Sequence, residues 1–184
     1  MRLLQSVPGY LNIRRFLNNL LETGIMSIPS YKTLLYATDL GQHMRPVFRH
    51  AISLAQHYQA NIIMLHVAEP LGSTGEAVLE LYMPGQTAKF HDEEMKSILA
   101  AMKKRLEAFH VEELGDDSTL VSSVAVVSGH PAEEIARFAE VKNVDLIVVG
   151  THTGNKFSSA FLGSTARKLI HISERPVLVV PVNE

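Results

Sequence analysis

One stretch of this chain has the composition of an anion-binding loop. Gly150 to Thr165 reads GTHTGNKFSSAFLGST and joins an apolar run, Asp145–Val149, to a helical pattern from about Gly163 to Ile172. Glycines let main-chain amides approach a bound group closely. A helix N-terminus offers unpaired N–H groups and the positive end of its dipole, which suits phosphate. Ser164 and Thr165 add hydroxyl donors. The competing reading is purely structural: Ser164 or Thr165 caps the helix, and the glycines merely turn the chain. The residues by themselves leave the two readings level.

Other chemistries find less support. Gly163 is followed directly by Ser164, so the lysine of a Walker A loop is missing. The first strand ends in Asp39-Leu40-Gly41-Gln42, without the glycine cluster of a dinucleotide fingerprint. Ser158 and Ser159 lack the Gly-x-Ser-x-Gly context of an activated serine. Nine histidines are present, His66 and His152 among them, but none falls in a His-x-x-x-His or His-Glu-x-x-His pattern. His50 and His57 share a helix face, yet seven residues apart they are too distant for one metal ion. They read as surface or satisfied histidines. With no cysteine, a thiol nucleophile, a disulfide framework and a thiolate-bound metal are all excluded. No catalytic residue and no metal ligand is assigned.

The elements that must position the loop follow a regular alternation. Thr33–Thr38, Asn61–Val67, Leu120–Val127, Asp145–Val149 and Pro176–Pro181 read as short buried strands rich in β-branched residues. Between them, Pro46–Tyr58 repeats apolar residues at helical spacing. A longer helix over about Ala88–Glu113 carries Ile98, Ala101, Met102 and Leu106 as its buried stripe, with Lys96, Lys103, Lys104 and Arg105 on the wet side. Gly129-His130-Pro131 opens a third helix, with Ile135, Phe138 and Ala139 on its apolar face. Residues Ala68 to Thr87 hold Pro70, Gly72, Gly75, Pro84 and Gly85 and read as a long connection, with a helical turn near Ala77–Leu81. This order predicts an α/β fold: an open five-stranded parallel sheet with right-handed crossovers and helices on both faces, Rossmann-like. Such sheets bind ligands beyond the C-terminal strand ends, where the strand order reverses. That directs attention to 37–41, 66–70, 128–131 and 150–165.

Composition bounds the rest. A length of 184 residues suits one domain, and the 46% apolar and 20% charged fractions are those of a globular core and surface. A formal net charge of −2 gives no general grip on nucleic acid or anionic membrane. No apolar run is long enough to span a bilayer. Residues 1–30 differ in pattern from the rest of the chain. Leu11, Phe16, Leu17, Leu20 and Leu21 would line one face of a short helix, but Asn12, Arg14, Arg15, Asn18 and Asn19 interrupt the apolar middle a signal peptide needs. The segment is expected to be an appendage outside the core, ahead of a candidate start at Met26, rather than a membrane-surface or partner-binding helix.

Taken in order, several short stretches resemble the universal stress protein family over residues 31–182. They are Tyr36-Ala37-Thr38-Asp39, Leu65-His66-Val67, Gly129-His130-Pro131, Asp145 through His152, and Gly163-Ser164 followed by Arg175 through Pro181. The resemblance implies an adenine nucleotide alpha hydrolase-like fold over 31–184 and a cytoplasmic stress-response regulator. In the family's nucleotide-binding branch a glycine, two residues, a second glycine, nine residues, then glycine and serine or threonine cradle ATP phosphates. Here Gly150, Gly163, Ser164 and Thr165 match, while Thr153 stands at the second-glycine position and Gly154 follows it. A branched residue pays for positive φ and crowds a tight cradle. By the same resemblance, Asp39 reaches the ribose or adenine end, Ala37, Thr38 and Val67 line the adenine pocket, and Val148 and Gly150 lie beneath sugar and phosphates. Asp39 is then the sole carboxylate expected at the pocket. ATP is the implied ligand, with Mg²⁺ held only through its phosphates. The family also implies a homodimer paired through the last strand, Pro176–Val182. Weak ATP hydrolysis and a nucleotide-free adaptor are the alternatives to a nucleotide-binding regulator.

Overall fold

The computed structural model describes residues 28–70, 87–151 and 162–182, the side chains of 42, 87–94, 116 and 117 excepted. Contacts divide the chain at Ser30, and Tyr31–Glu184 form one unit. The helical pattern of residues 11–21 and the turn near 77–81 lie outside the described residues.

Each predicted strand and helix of the alternating pattern forms within a residue or two of its expected bounds. Strand β1 (Thr33–Thr38) leads through a 3-10 turn (Gln42–Met44) into helix α1 (Arg45–Tyr58), then β2 (Asn61–Ala68). Helix α2 (Thr87–Leu114) and a second 3-10 turn (Gly115–Leu120) precede β3 (Val121–Ser128). Helix α3 (Pro131–Val141), β4 (Leu146–Gly150), α4 (Ser164–Ile172) and β5 (Val177–Val180) complete the order. Neither 3-10 turn was legible in the sequence. The five strands lie in the order β3-β2-β1-β4-β5, every neighbouring pair parallel.

Period-two alternation divides the strands between two cores. Leu34, Tyr36, Ile62, Met64, Leu146 and Val148 face α1, where Val47, Phe48, Ala51 and Ala55 are fully buried. Leu35, Ala37, Ile63, Leu65, Val67, Ile147 and Val149 face the opposite way, against Ala132, Ile135, Ala136 and Ala139 of α3 and Ala166 and Leu169 of α4. The buried Tyr36 hydroxyl donates to the Met44 carbonyl at 3.1 Å, tying the turn before α1 to the sheet. Burial raises the Tyr36 phenol beyond any working range, so it remains a donor.

Helix α2 corrects one expectation. Leu106 is 1% exposed, but Ile98 is 45% exposed, Ala101 is exposed and Met102 half-buried. Its C-terminal half is anchored: Leu106, Phe109 and Leu114 pack against the α1-side core, and Arg45 pairs with Glu112 and Glu113. Stripe periodicity shows which residues share a face, not whether the described residues supply something to cover it.

Asp145 joins the two central strands at their N-terminal ends. Its Oδ2 accepts the main-chain N–H groups of Lys32 at 2.7 Å and Thr33 at 2.8 Å, while its own N–H donates to the Thr33 carbonyl. Asp145→Ala leaves both amides unmatched at the start of β1. Denaturant unfolding of this variant is expected to show a loss of about 2 kcal/mol; unchanged stability would remove the clamp from the account.

His110 gives a second expectation. Its Nδ1 is buried without a hydrogen-bond partner among the described residues. Burial holds the imidazole below its usual range, with Glu107 opposing. The folded chain therefore takes up this proton less readily than the unfolded chain. The stability it contributes is present above the ordinary imidazole range and is lost as pH falls through the depressed folded value. Unfolding free energy should fall as pH drops through and below the ordinary imidazole range, with a shallower slope in His110→Gln. Equal slopes in the two proteins would contradict this.

Candidate functional site

Strand order reverses beside β1, where α1 leaves toward one face of the sheet and α4, after β4, packs on the other. A cavity of ≈ 440 Å³ opens there at the C-terminal strand ends. It is the crevice expected of an open parallel sheet.

From β1 come Ala37, Thr38 and Asp39. The two polar side chains shape the turn after the strand. Thr38 Oγ1 accepts the Leu40 N–H at 3.1 Å, and Asp39 Oδ1 accepts the Gly41 N–H at 2.8 Å. Leu40 is held at φ 64°, a left-handed conformation unusual for a branched side chain. A Cβ on Gly41 would lie 2.9 Å from Asp39 Oδ1. Glycine there lets the carboxylate fold back over the turn.

From β2 come His66, Val67 and Ala68, followed by Glu69. His66 is 8% exposed, and its Nδ1 lies 2.8 Å from the Thr38 carbonyl oxygen. Glu69 is a second carboxylate in the lining, so Asp39 is not the sole one there. It follows a strand end rather than a recognisable motif, which hid it from the sequence reading.

Behind these, Pro131 and Ile135 of α3 form part of the wall. Gly129 holds φ 152°, its N–H donates to the Ala68 carbonyl at 3.0 Å, and a Cβ would lie 2.6 Å from Glu134 Cγ. Only glycine allows that turn to bring α3 onto the β2 end.

The far side is built by β4 and α4. Gly163 caps α4 with φ −55° and ψ 153°, and no side-chain hydrogen bond caps the helix. Ser164, Thr165 and Ala166 border the cavity. The reading in which Ser164 or Thr165 serves as the cap is thereby set aside: both lie inside the first helical turn. That turn presents main-chain N–H groups and the positive dipole end to the cavity. Lys168 of α4 pairs with Glu133 of α3, and that hydrogen bond holds the Glu133 carboxyl below its usual range. Both side chains are exposed, so the pair aligns the helices more than it stabilises them.

Two of the anticipated residues are also held by core packing. Val148 is fully buried among the α1-side core residues and does not border the cavity; its neighbour Val149 does, by strand alternation. Gly150 borders the cavity, but a Cβ on it would lie 2.9 Å from Val182 and 3.0 Å from both Met44 and Val47. Packing alone therefore accounts for glycine at 150. Ala37, Thr38, Asp39, Val67, Ser164 and Thr165 meet at the cavity, and Gly163 caps the helix that borders it. Thr153 and Gly154 lie outside the described residues. His66, Glu69, Met44 and Met102 are lining residues that motif reasoning passed over. Among the described residues no cluster of three metal-ligating side chains exists, and no helix is long and apolar enough to cross a membrane.

Known proteins share both the sequence and the architecture. The family model described as the universal stress protein family matches residues 30–181. Universal stress protein MJ0577 of Methanocaldococcus jannaschii is 29% identical over 154 residues, covering 82% of this chain and 94% of that protein. A universal stress protein of Thermus aquaticus is 31% identical over 152 residues, covering 82% and 98%. Among solved structures, that of MJ0577 superimposes with a TM-score of 0.65 at 26% identity, over 84% of this chain and 98% of the other. A universal stress protein solved in complex with cAMP shares the fold, with a TM-score of 0.50 at 18% identity over 84% and 99%. From the strand order, the shared motifs and these matches, the chain belongs to the universal stress protein family.

Proposed function

We propose that this protein is a dimeric, cytoplasmic stress-response regulator that binds ATP or another adenine nucleotide and is not a metabolic enzyme. The observation that carries the reading is the first turn of α4, which no side chain among the described residues caps and which borders a cavity of ≈ 440 Å³ at the switch point of the sheet. Its amides suit phosphate oxygens. The apolar wall of Ala37, Val67, Val149 and Ile135 suits a base, and Asp39 offers acceptors for ribose hydroxyls. Mg²⁺ would be carried by the phosphates, since the lining has no metal-ligating cluster among the described residues. By the family motif alone, Thr153 and Gly154 are counted among the residues proposed to contact those phosphates. A solved protein of the same fold holds cAMP, which shows that such a fold takes up an adenine nucleotide.

Weak hydrolysis is not required by any group described at the site. A nucleotide-free adaptor gains support from two residues: Thr153 in place of a glycine, and Gly150, which packing alone explains. The dimer reading rests on β5, which among the described residues pairs only with β4 and leaves Val177, Leu178 and Val179 half-buried at the sheet edge. Such an edge invites a partner strand. The pairing segment would be Pro176–Val182, and Met1–Ser30 would remain an extension outside the Tyr31–Glu184 domain.

Native mass spectrometry of the purified full chain tests both parts. The expected species is a dimer carrying adenine nucleotide. A dimer that stays bare after incubation with ATP would favour the adaptor, and a monomer would end the edge-pairing proposal. Gly163→Val tests the helix end directly. The backbone there suits any L-residue, so α4 is retained while the side chain crowds the approach to its amides. Calorimetric titration should show ATP affinity reduced at least roughly tenfold, about 1.4 kcal/mol; unchanged affinity would move the phosphates elsewhere.

A further inference from the structure

His66 stands where the cavity at the strand ends meets a second, shallower one of ≈ 400 Å³ bounded by Asp39, Leu40, Gly41, Met102 and Arg105. The bland reading, a satisfied core histidine, explains only half of its ring. Nδ1 lies 2.8 Å from the Thr38 carbonyl oxygen. A carbonyl only accepts, so Nδ1 carries the hydrogen and, in the neutral ring, Nε2 is a bare acceptor. No hydrogen bond from a described residue reaches Nε2, and the residue as a whole is 8% exposed.

The hydroxyl donors of the same lining, Thr38, Ser164 and Thr165, make no hydrogen bond to Nε2 among the described residues. Asp39 and Glu69 are acceptors when ionised, and Met44 and Met102 contribute thioethers. Arg105 borders only the second cavity and directs a weak contact, 3.4 Å, to the Leu40 carbonyl. An acceptor held rigidly in a largely buried position discriminates strongly, because a ligand without the matching donor leaves it unpaired.

The geometry points to His66 as a specificity-determining residue: Nε2 accepts a hydrogen bond from an N–H or O–H donor on the bound ligand. The donor is an amino group on a purine base or a hydroxyl on its sugar. The inference rests on the nucleotide reading above and adds a selection rule to it. A ligand presenting a keto oxygen, or nothing, at that place is disfavoured.

Calorimetric titration of the full chain with ATP, ITP and 2′-deoxyATP tests the rule, in the original protein and in two variants. His66→Asn keeps an amide donor for the Thr38 carbonyl but places nothing at Nε2. His66→Gln gives up that donor and restores an acceptor oxygen near Nε2. The original protein is expected to bind ATP at least roughly tenfold more tightly than one of the two analogues. A penalty on ITP assigns the donor to the base amino group; a penalty on 2′-deoxyATP assigns it to the sugar. His66→Asn should bring ATP down to the affinity of the penalised analogue, and His66→Gln should keep part of the preference. A merely structural histidine gives the reverse order, with Asn as the better replacement. Equal binding of all three ligands by the original protein, or a preference preserved in His66→Asn, overturns the inference while nucleotide binding stands. Failure of the original protein to bind any of the three overturns the nucleotide reading and this inference together.

Discussion

A parallel strand cannot return directly to its neighbour; each crossover must pass over one face of the sheet or the other. Here α1 follows β1 on one face, and α4 packs with α3 on the opposite face, after β4. Because β1 and β4 are adjacent and parallel, their C-terminal ends lie side by side while the chain departs in opposite directions. Among the described residues no crossover helix covers the gap between them. The cavity follows from this divergence, and Ala37, Thr38, Asp39, Val67, Gly150, Ser164 and Thr165 line it.

Burial on both faces supplies the rigidity that such a rim needs. Tyr36, Leu34, Leu35, Ile147 and Val148 are fully buried in the two central strands, which contribute little polar surface of their own. Polar groups are concentrated instead at the strand ends. Asp145 gathers amides at one end of the β1–β4 pair, and Thr38 and Asp39 hold the turn at the other. Leu40, in its left-handed conformation, is the strained member of that turn, yet its side chain packs against the α1-side core. Strain of this kind persists where surrounding contacts over-determine the backbone, as they often do beside binding sites. His66 belongs to the same arrangement, since its bond to the Thr38 carbonyl links the ends of β1 and β2 across the cavity wall.

Most of the architecture was legible in the residue order because parallel strands buried on both faces have a plain signature. Runs such as TLLYAT, NIIMLHVA and LIVVG have no polar alternation to confuse them, and Pro131 marked a helix start to the residue. The division of Leu34 and Leu35 between opposite cores came with the folded sheet. Where the periodic rule was applied to α2 it overreached. Ile98 and Ala101 share a face with Leu106, but only Leu106 meets the core. Helical spacing is local information; coverage depends on which other element arrives.

The chain's order of residue types by itself determined the α/β alternation, the helix start at Pro131, the absence of thiol chemistry and the candidacy of the Gly150–Thr165 stretch. Tertiary structure alone decided where those candidates stand. It sent Val148 into the core and Val149 to the cavity, and made Gly150 a packing necessity beneath Val182 and Met44. It also left the first turn of α4 with no side-chain cap among the described residues and brought His66 and Glu69 to the rim. The physical reason is range. Propensity, capping and alternation act over a few residues, whereas a site at a strand-order reversal is assembled from segments more than a hundred residues apart, such as Thr38 and Ser164, and only their packing fixes which way each side chain faces.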